Sequence, residues 1–93
     1  MLTPLTDQEL ADLLTALPEW KVVNNKLETT RKLTTFTDAL AYVQKVGLIA
    51  EEINHHPDID IRWRLVTIRV CTHDAGNRIT RFDRRLAERI DAL

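Results

Sequence analysis

Three hydroxyl–x–x–carboxylate pairs punctuate this chain: Thr6 with Glu9, Thr35 with Asp38, and Thr80 with Asp83. In such a capping box the threonine oxygen accepts a backbone N–H of the first helical turn, and the acidic side chain returns the bond to the cap. The three boxes predict three helix starts and confine any sheet to the segments between them. After the first, Leu10, Leu13, Leu14 and Leu17 recur at helical spacing until Pro18 stops the pattern. After the second, Phe36, Leu40, Val43, Val46, Ala50 and Ile53 form one stripe. That helix is expected to end near His55-His56, because the residue before Pro57 is pushed out of the α region. After the third, Phe82, Leu86, Ile90 and Leu93 are expected to face inward.

The intervening segments read as two hairpins. Trp20 to Val23 and threonine-rich Leu27 to Leu33 flank Asn24-Asn25, a residue type that tolerates left-handed geometry. Further on, Ile59, Ile61 and Trp63 alternate with Asp60, Arg62 and Arg64. Val66, Ile68 and Val70 likewise alternate with Thr67, Arg69 and Cys71. Such alternation gives one buried and one polar face. Asp74-Ala75-Gly76-Asn77 reads as a loop. The predicted order is α-β-β-α-β-β-α, an α+β class with a four-stranded antiparallel sheet and helices on one face. Residues 1–93 are expected to form one domain.

Composition narrows the function. Thirteen basic and 14 acidic residues give a net charge of −1, with no general drive toward nucleic acid or anionic membrane. No apolar stretch approaches a membrane span. Met1-Leu2-Thr3-Pro4 lacks a basic segment followed by an apolar run, so no signal peptide is expected. The single cysteine, Cys71, cannot form an internal disulfide, which fits a reducing, cytoplasmic compartment. There is no serine for a Ser–His–Asp hydrolase and no glycine-rich phosphate loop. A domain this small buries a limited share of its surface, so a homodimer or homotetramer is expected.

The chemistry gathers at the three histidines. Glu51 and His55 are four apart and would share a helix face. A nearby carboxylate and a helix C-terminus both favour an imidazolium, which suits His55 to act as a general acid. His56 must leave the helical direction before Pro57, so the two rings point differently, one for chemistry and one to grip a ligand. Asn54 sits beside them as a possible hydrogen-bonding group. His73 follows the last strand-like run and shares parity with Arg69 and Cys71, which projects it toward a cleft. There the Cys71-Thr72 and Asp74 backbone could pair with a flat polar ligand.

Each residue also has a plainer structural reading. His55 can merely stabilise its helix end, and His56 and His73 can be solvated turn residues. Cys71 fits packing better than nucleophilic attack. Asp83 caps its helix and could also orient His73 across the loop. Trp20 suits a core, yet an indole at a strand start can line a flat pocket and donate one hydrogen bond. A metal site is disfavoured, because His55-His56 lacks the i, i+4 pairing of helical zinc sites.

The run Glu51-x-x-x-His55-His56-Pro57, followed by Trp63, His73 and Asp83, resembles the signature of the pterin-4a-carbinolamine dehydratases. These are also called 4a-hydroxytetrahydrobiopterin dehydratases, and mammalian members double as dimerisation cofactors of a homeodomain transcription factor. The likeness covers nearly the whole chain. It departs at Asn54, where aspartate is common, and in a His73–Asp83 loop slightly longer than the mammalian pattern.

The resemblance implies the same fold, and dehydration of a 4a-hydroxy-tetrahydropterin to the quinonoid dihydropterin without metal or organic cofactor. It implies His55 and His73 as the acid–base pair, with His56 completing the catalytic set as a pterin-binding residue. Glu51 and Asp83 become supporting groups. The segments Asn54-His55-His56, with Pro57, and Cys71-Thr72-His73-Asp74 become the pterin contacts. The rivals are a non-enzymatic dimerisation or regulatory module on this fold, and a pterin-binding protein of molybdenum-cofactor metabolism.

Overall fold

The computed structural model describes residues 2–93, so the expectation resting on Met1 lies outside it. All three predicted helix starts are present. Thr6 Oγ1 accepts from the Glu9 N–H at 3.1 Å and Glu9 Oε1 accepts from the Thr6 N–H at 2.9 Å, opening α1 (Asp7–Ala16). Thr35 Oγ1 accepts from the Asp38 N–H at 3.0 Å and opens α2 (Phe36–Ile53). The Asp38 carboxylate makes no return bond among the described residues, so this box is half formed. Thr80 and Asp83 open α3 (Arg81–Asp91) with both halves in place.

Strand β1 (Lys21–Val23) turns into β2 (Lys26–Lys32) through Asn24 and Asn25, with φ of 51° and 63°. Two successive left-handed residues match the right-handed twist of a hairpin. β3 (Asp58–Arg62) and β4 (Leu65–Val70) form the second hairpin. The hairpins join through β2 and β4, giving an antiparallel sheet of order β1-β2-β4-β3. Register sets Leu27 opposite Val70, Thr29 opposite Ile68, and Ile59 and Ile61 opposite Ile68 and Val66. These positions share one face, and side chains of the helices close over it. Leu13, Val46, Leu86 and Ile90 meet Leu27, Val66 and Ile68 there, all essentially without solvent contact. Each contributes roughly 1.5–3 kcal/mol by leaving water. The alternate positions carry polar partners, such as Arg69 Nε donating to Glu28 Oε1 at 2.6 Å across β2 and β4.

Several inward assignments change. On α2 the buried positions are Ala39, Val46, Ile49 and Ala50, whereas Phe36 and Leu40 are 46% and 49% exposed. Phe36, Leu40 and Leu48 fall at multiples of four residues and form a second apolar ridge, which winds from about 60° to about 180° round from Ala39. Either ridge satisfies helical periodicity. Leu93 lies beyond the end of α3 and is exposed. Trp63 is no strand residue: it sits in the β3–β4 turn with φ 55° and 68% exposure, the Arg64 guanidinium 4.6 Å from its ring centroid. The alternation also stops at Val70, because the chain bends inward there and buries Cys71 and Thr72 together.

Candidate active site

The end of α2 fixes two of the histidines. Asn54 takes φ 53°, a conformation asparagine reaches at low cost, and its N–H bonds to the Ala50 and Glu51 carbonyls. The His55 N–H then closes on Ala50 O at 3.0 Å, which makes a Schellman termination. This left-handed step swings His55 off the helix face that spacing assigns it. Its ring turns toward the first turn of α3, where Nε2 lies 2.7 Å from Asp83 Oδ1. Glu51 is thereby left to His56, whose Nε2 bonds to Glu51 Oε2. The expected Glu51–His55 pairing is thus replaced by two others, Glu51–His56 and Asp83–His55.

The environments of the two pairs differ. The His55 side chain is 15% exposed and Asp83 is fully buried, whereas His56 and Glu51 stand largely in solvent. Asp83 Oδ2 accepts from the Thr80 N–H at 2.7 Å and from the Thr72 hydroxyl at 2.8 Å. The capping role of Asp83 is therefore real, but the histidine it contacts is His55, not His73. Position 83 serves both because the turn that follows α2 reaches the first turn of α3, where the His55 ring also stands 6.0 Å from that of Phe82.

His73 opens a single 3-10 turn, His73–Ala75, just after the buried Thr72. The loop is closed by a bridge between Thr72 and Arg78 and by left-handed Gly76 and Asn77, φ 73° and 59°. Asn77 Oδ1 lies 2.7 Å from His73 Nδ1. The Cys71 thiol, buried beside it, is pushed up by desolvation; Lys26 opposes this, and Asp83 and Asp58 add to it. A thiol held protonated is a poor nucleophile.

These segments enclose an open cleft of about 460 Å³. Asn54, His55, His56, Cys71, Thr72, His73 and Asp74 line it, seven of the residues expected to meet a ligand. Pro57 and Trp20 do not line it. Trp20 is buried at the C-terminal end of α3, its Nε1–H donating to Asp91 Oδ1 at 2.9 Å, an oxygen shared with Arg31 Nη2 at 2.6 Å. Leu2, Ile53 and Phe82 line the cleft although nothing in the sequence marks them for it. Ile53 and Phe82 carry the same periodic signal as core residues, and only their position at element ends turns them toward the opening. Among the described residues no three His, Cys, Asp or Glu side chains converge on a point that could hold a metal.

The family model described as Pterin 4 alpha carbinolamine dehydratase matches residues 3–93. This chain belongs to the pterin 4 alpha carbinolamine dehydratase family. A protein of Roseiflexus sp. (strain RS-1), named "Putative pterin-4-alpha-carbinolamine dehydratase", is 44% identical over 93 residues, covering 100% of this chain and 99% of its own. A protein of the same name from Picosynechococcus sp. is 42% identical, with 100% of both chains covered. Among solved structures, a Brucella melitensis protein described as a transcriptional coactivator/pterin dehydratase superposes with a TM-score of 0.90 at 27% identity, covering 97% of each chain. In this dehydratase-family chain the adjacent His55 and His56 border one cleft with His73, which lies well apart from them in sequence.

Proposed function

We propose that this cleft dehydrates a 4a-hydroxy-tetrahydropterin to the quinonoid dihydropterin and water by histidine general acid–base catalysis, as a step of tetrahydrobiopterin recycling. One observation carries the reading: His55, His56 and His73 border one cleft, and each ring has one nitrogen bonded to a different protein group. Each ring therefore keeps a second nitrogen for a ligand. The cleft volume suits a bicyclic ring system. Ile53 and Phe82 offer apolar surface to its faces, and the polar edges of Asn54 and Asp74 suit its heteroatoms.

The reaction needs one proton delivered and one removed. An imidazolium protonates the C4a hydroxyl, the C–O bond breaks, and water departs. A neutral imidazole takes a proton from a ring nitrogen, so the reaction consumes no net proton. His55 and His73 are assigned these two roles, and solvent restores both, since His73 is exposed. His56, steadied by Glu51, grips the pterin. No resident metal or organic cofactor is assigned.

A spectroscopic assay with 4a-hydroxy-tetrahydropterin tests the proposal. Conversion no faster than the spontaneous rate removes it.

Self-association belongs to the same reading. The ridge of Phe36, Leu40 and Leu48 leaves apolar surface on the outer side of α2, which supports a homodimer or homotetramer. A coactivator role, such as the name of the Brucella melitensis protein gives to that molecule, would use such a surface instead of the cleft. Among the described residues no helix is long and apolar enough to cross a membrane, and the lone thiol of Cys71 supports a cytoplasmic setting.

A further inference from the structure

Thr72 borders the cleft, yet none of its polar groups is free to meet a ligand there as a donor. Its N–H bonds to Arg78 O at 2.9 Å and its carbonyl accepts from the Ala75 N–H at 3.1 Å. Its hydroxyl lies 2.8 Å from Asp83 Oδ2 and 2.7 Å from the Thr80 hydroxyl. A hydroxyl has one proton to give. The carboxylate only accepts, so the Thr72 proton goes to Asp83 and the Thr80 proton must go to Thr72. The Thr80 oxygen in turn accepts from the Phe82 N–H at 3.2 Å. Every proton in this buried chain therefore points toward Asp83, and hydrogen bonds aligned in this way strengthen one another.

We infer that Thr72 is a positioning residue for His55. Its hydroxyl, oriented by Thr80, holds the Asp83 carboxylate with Oδ1 toward His55 Nε2. With Oδ2 occupied by Thr72 and Thr80, Oδ1 accepts the Nε2–H, and His55 presents Nδ1, which has no hydrogen-bond partner among the described residues. Without the Thr72 hydroxyl, the carboxylate is held on one edge by the Thr80 N–H alone and can rotate. Ring orientation and tautomer then loosen together. The inference rests on the proposed role of His55 in catalysis, but its first readout does not depend on turnover.

The test uses nitrogen-15 spectroscopy of the histidine rings in the full-length protein. Wild type is expected to show neutral His55 protonated at Nε2; a predominant Nδ1–H form overturns the inference. Thr72→Val keeps the shape and removes the hydroxyl. It is expected to mix the His55 tautomers while leaving those of His73 unchanged. It should also lower kcat by about ten- to a hundred-fold, the scale of one hydrogen bond to a charged group, with little change in KM. Thr72→Ser should restore both. A Thr72→Val protein with the wild-type His55 spectrum, or one that loses only KM, would show that the side chain serves the ligand and not Asp83. If Thr72→Val does not fold, the wild-type tautomer and the Thr72→Ser comparison still decide. If wild type shows no dehydration, the proposed function fails, while the tautomer result stands by itself.

Discussion

His55 and Asp83 meet 2.7 Å apart although they stand 28 positions apart in the chain, and the contact ties the turn that follows α2 to the first turn of α3. A fully buried carboxylate would be costly in the fold without partners. Here it accepts from two hydrogen-bond donors of its own segment and the preceding loop, and it spends its remaining oxygen on an imidazole. The same side chain therefore caps a helix and aims a ring at the cleft. The two functions cannot be separated by deletion, but they can be separated by isosteric substitution.

Asp83→Asn provides that separation. The amide keeps the size and can still accept from Thr80 and Thr72 through its oxygen. Toward His55 it then presents an N–H, which needs an unprotonated Nε2 and so reverses the tautomer. Turnover is expected to fall by about 10²–10⁴-fold, the usual weight of a positioned acid or base. Asp83→Glu retains the charge, but its extra methylene has no room in a fully buried site. It should lower both melting temperature and turnover. Full turnover in Asp83→Asn would reduce Asp83 to a helix cap.

The histidines should divide by the kinetic constant they affect. His55→Ala and His73→Ala are expected to lower kcat, and His56→Ala to raise KM. If either ring can take over the other's proton transfer, each single loss is muted and the double variant shows the full effect. Wild-type turnover in the double variant would end the acid–base assignment. Glu51→Gln should follow His56→Ala in KM, with a stability change below about 1 kcal/mol, because the Glu51–His56 pair is solvent-exposed.

The fold was largely legible because its signals are local. The three capping boxes, the asparagine pair and the alternation in β3 and β4 each act within a few residues. Misassignments arose where two arrangements share one period, as with the two apolar ridges of α2, or where an element ends, as at Trp63 and Cys71. The histidines were visible as chemistry, but their partners were not. Spacing pairs Glu51 with His55 on an ideal helix, and a single left-handed residue, Asn54, redirects both. The Asp83–His55 contact depends on how α3 packs against α2, which no local pattern encodes. Trp20 stands away from the cleft for a similarly non-local reason: Asp91 holds its indole N–H, and the Arg31 guanidinium lies 5.8 Å from its ring centroid.

Tyr42 gives a prediction about alkaline stability. Its hydroxyl is buried with no hydrogen-bond partner among the described residues. Desolvation pushes its pKa up, with nearby Arg31 opposing and Asp91 adding. The folded state therefore holds the proton at pH values where the unfolded chain releases it. The associated stability is intact below the unfolded value of about 10 and is lost as pH rises from there. Tyr42→Phe should be neutral or slightly stabilising at pH near 7 and should flatten the alkaline decline. Denaturant unfolding of both proteins at about pH 7 and about pH 11 measures this. A loss above about 1 kcal/mol at neutral pH would mean that the hydroxyl does have a partner.

Cys71 offers a direct report on occupancy of the cleft. Its thiol lines the cleft but is almost entirely shielded, and burial pushes its pKa up, so little thiolate is present at neutral pH. Since the thiolate is the reactive form, alkylation by iodoacetamide near pH 7 should be slow compared with a free thiol and should accelerate as pH rises. A pterin bound between His55 and His73 would cover the remaining access, so reduced pterin should slow labelling in proportion to its occupancy. Cys71→Ala should retain turnover, because the side chain packs and does not react. Mass spectrometry of labelled protein with and without ligand follows the rate at this single thiol. Rapid, complete alkylation at neutral pH would contradict the burial, and labelling that saturating pterin leaves unchanged would move the ligand out of this cleft.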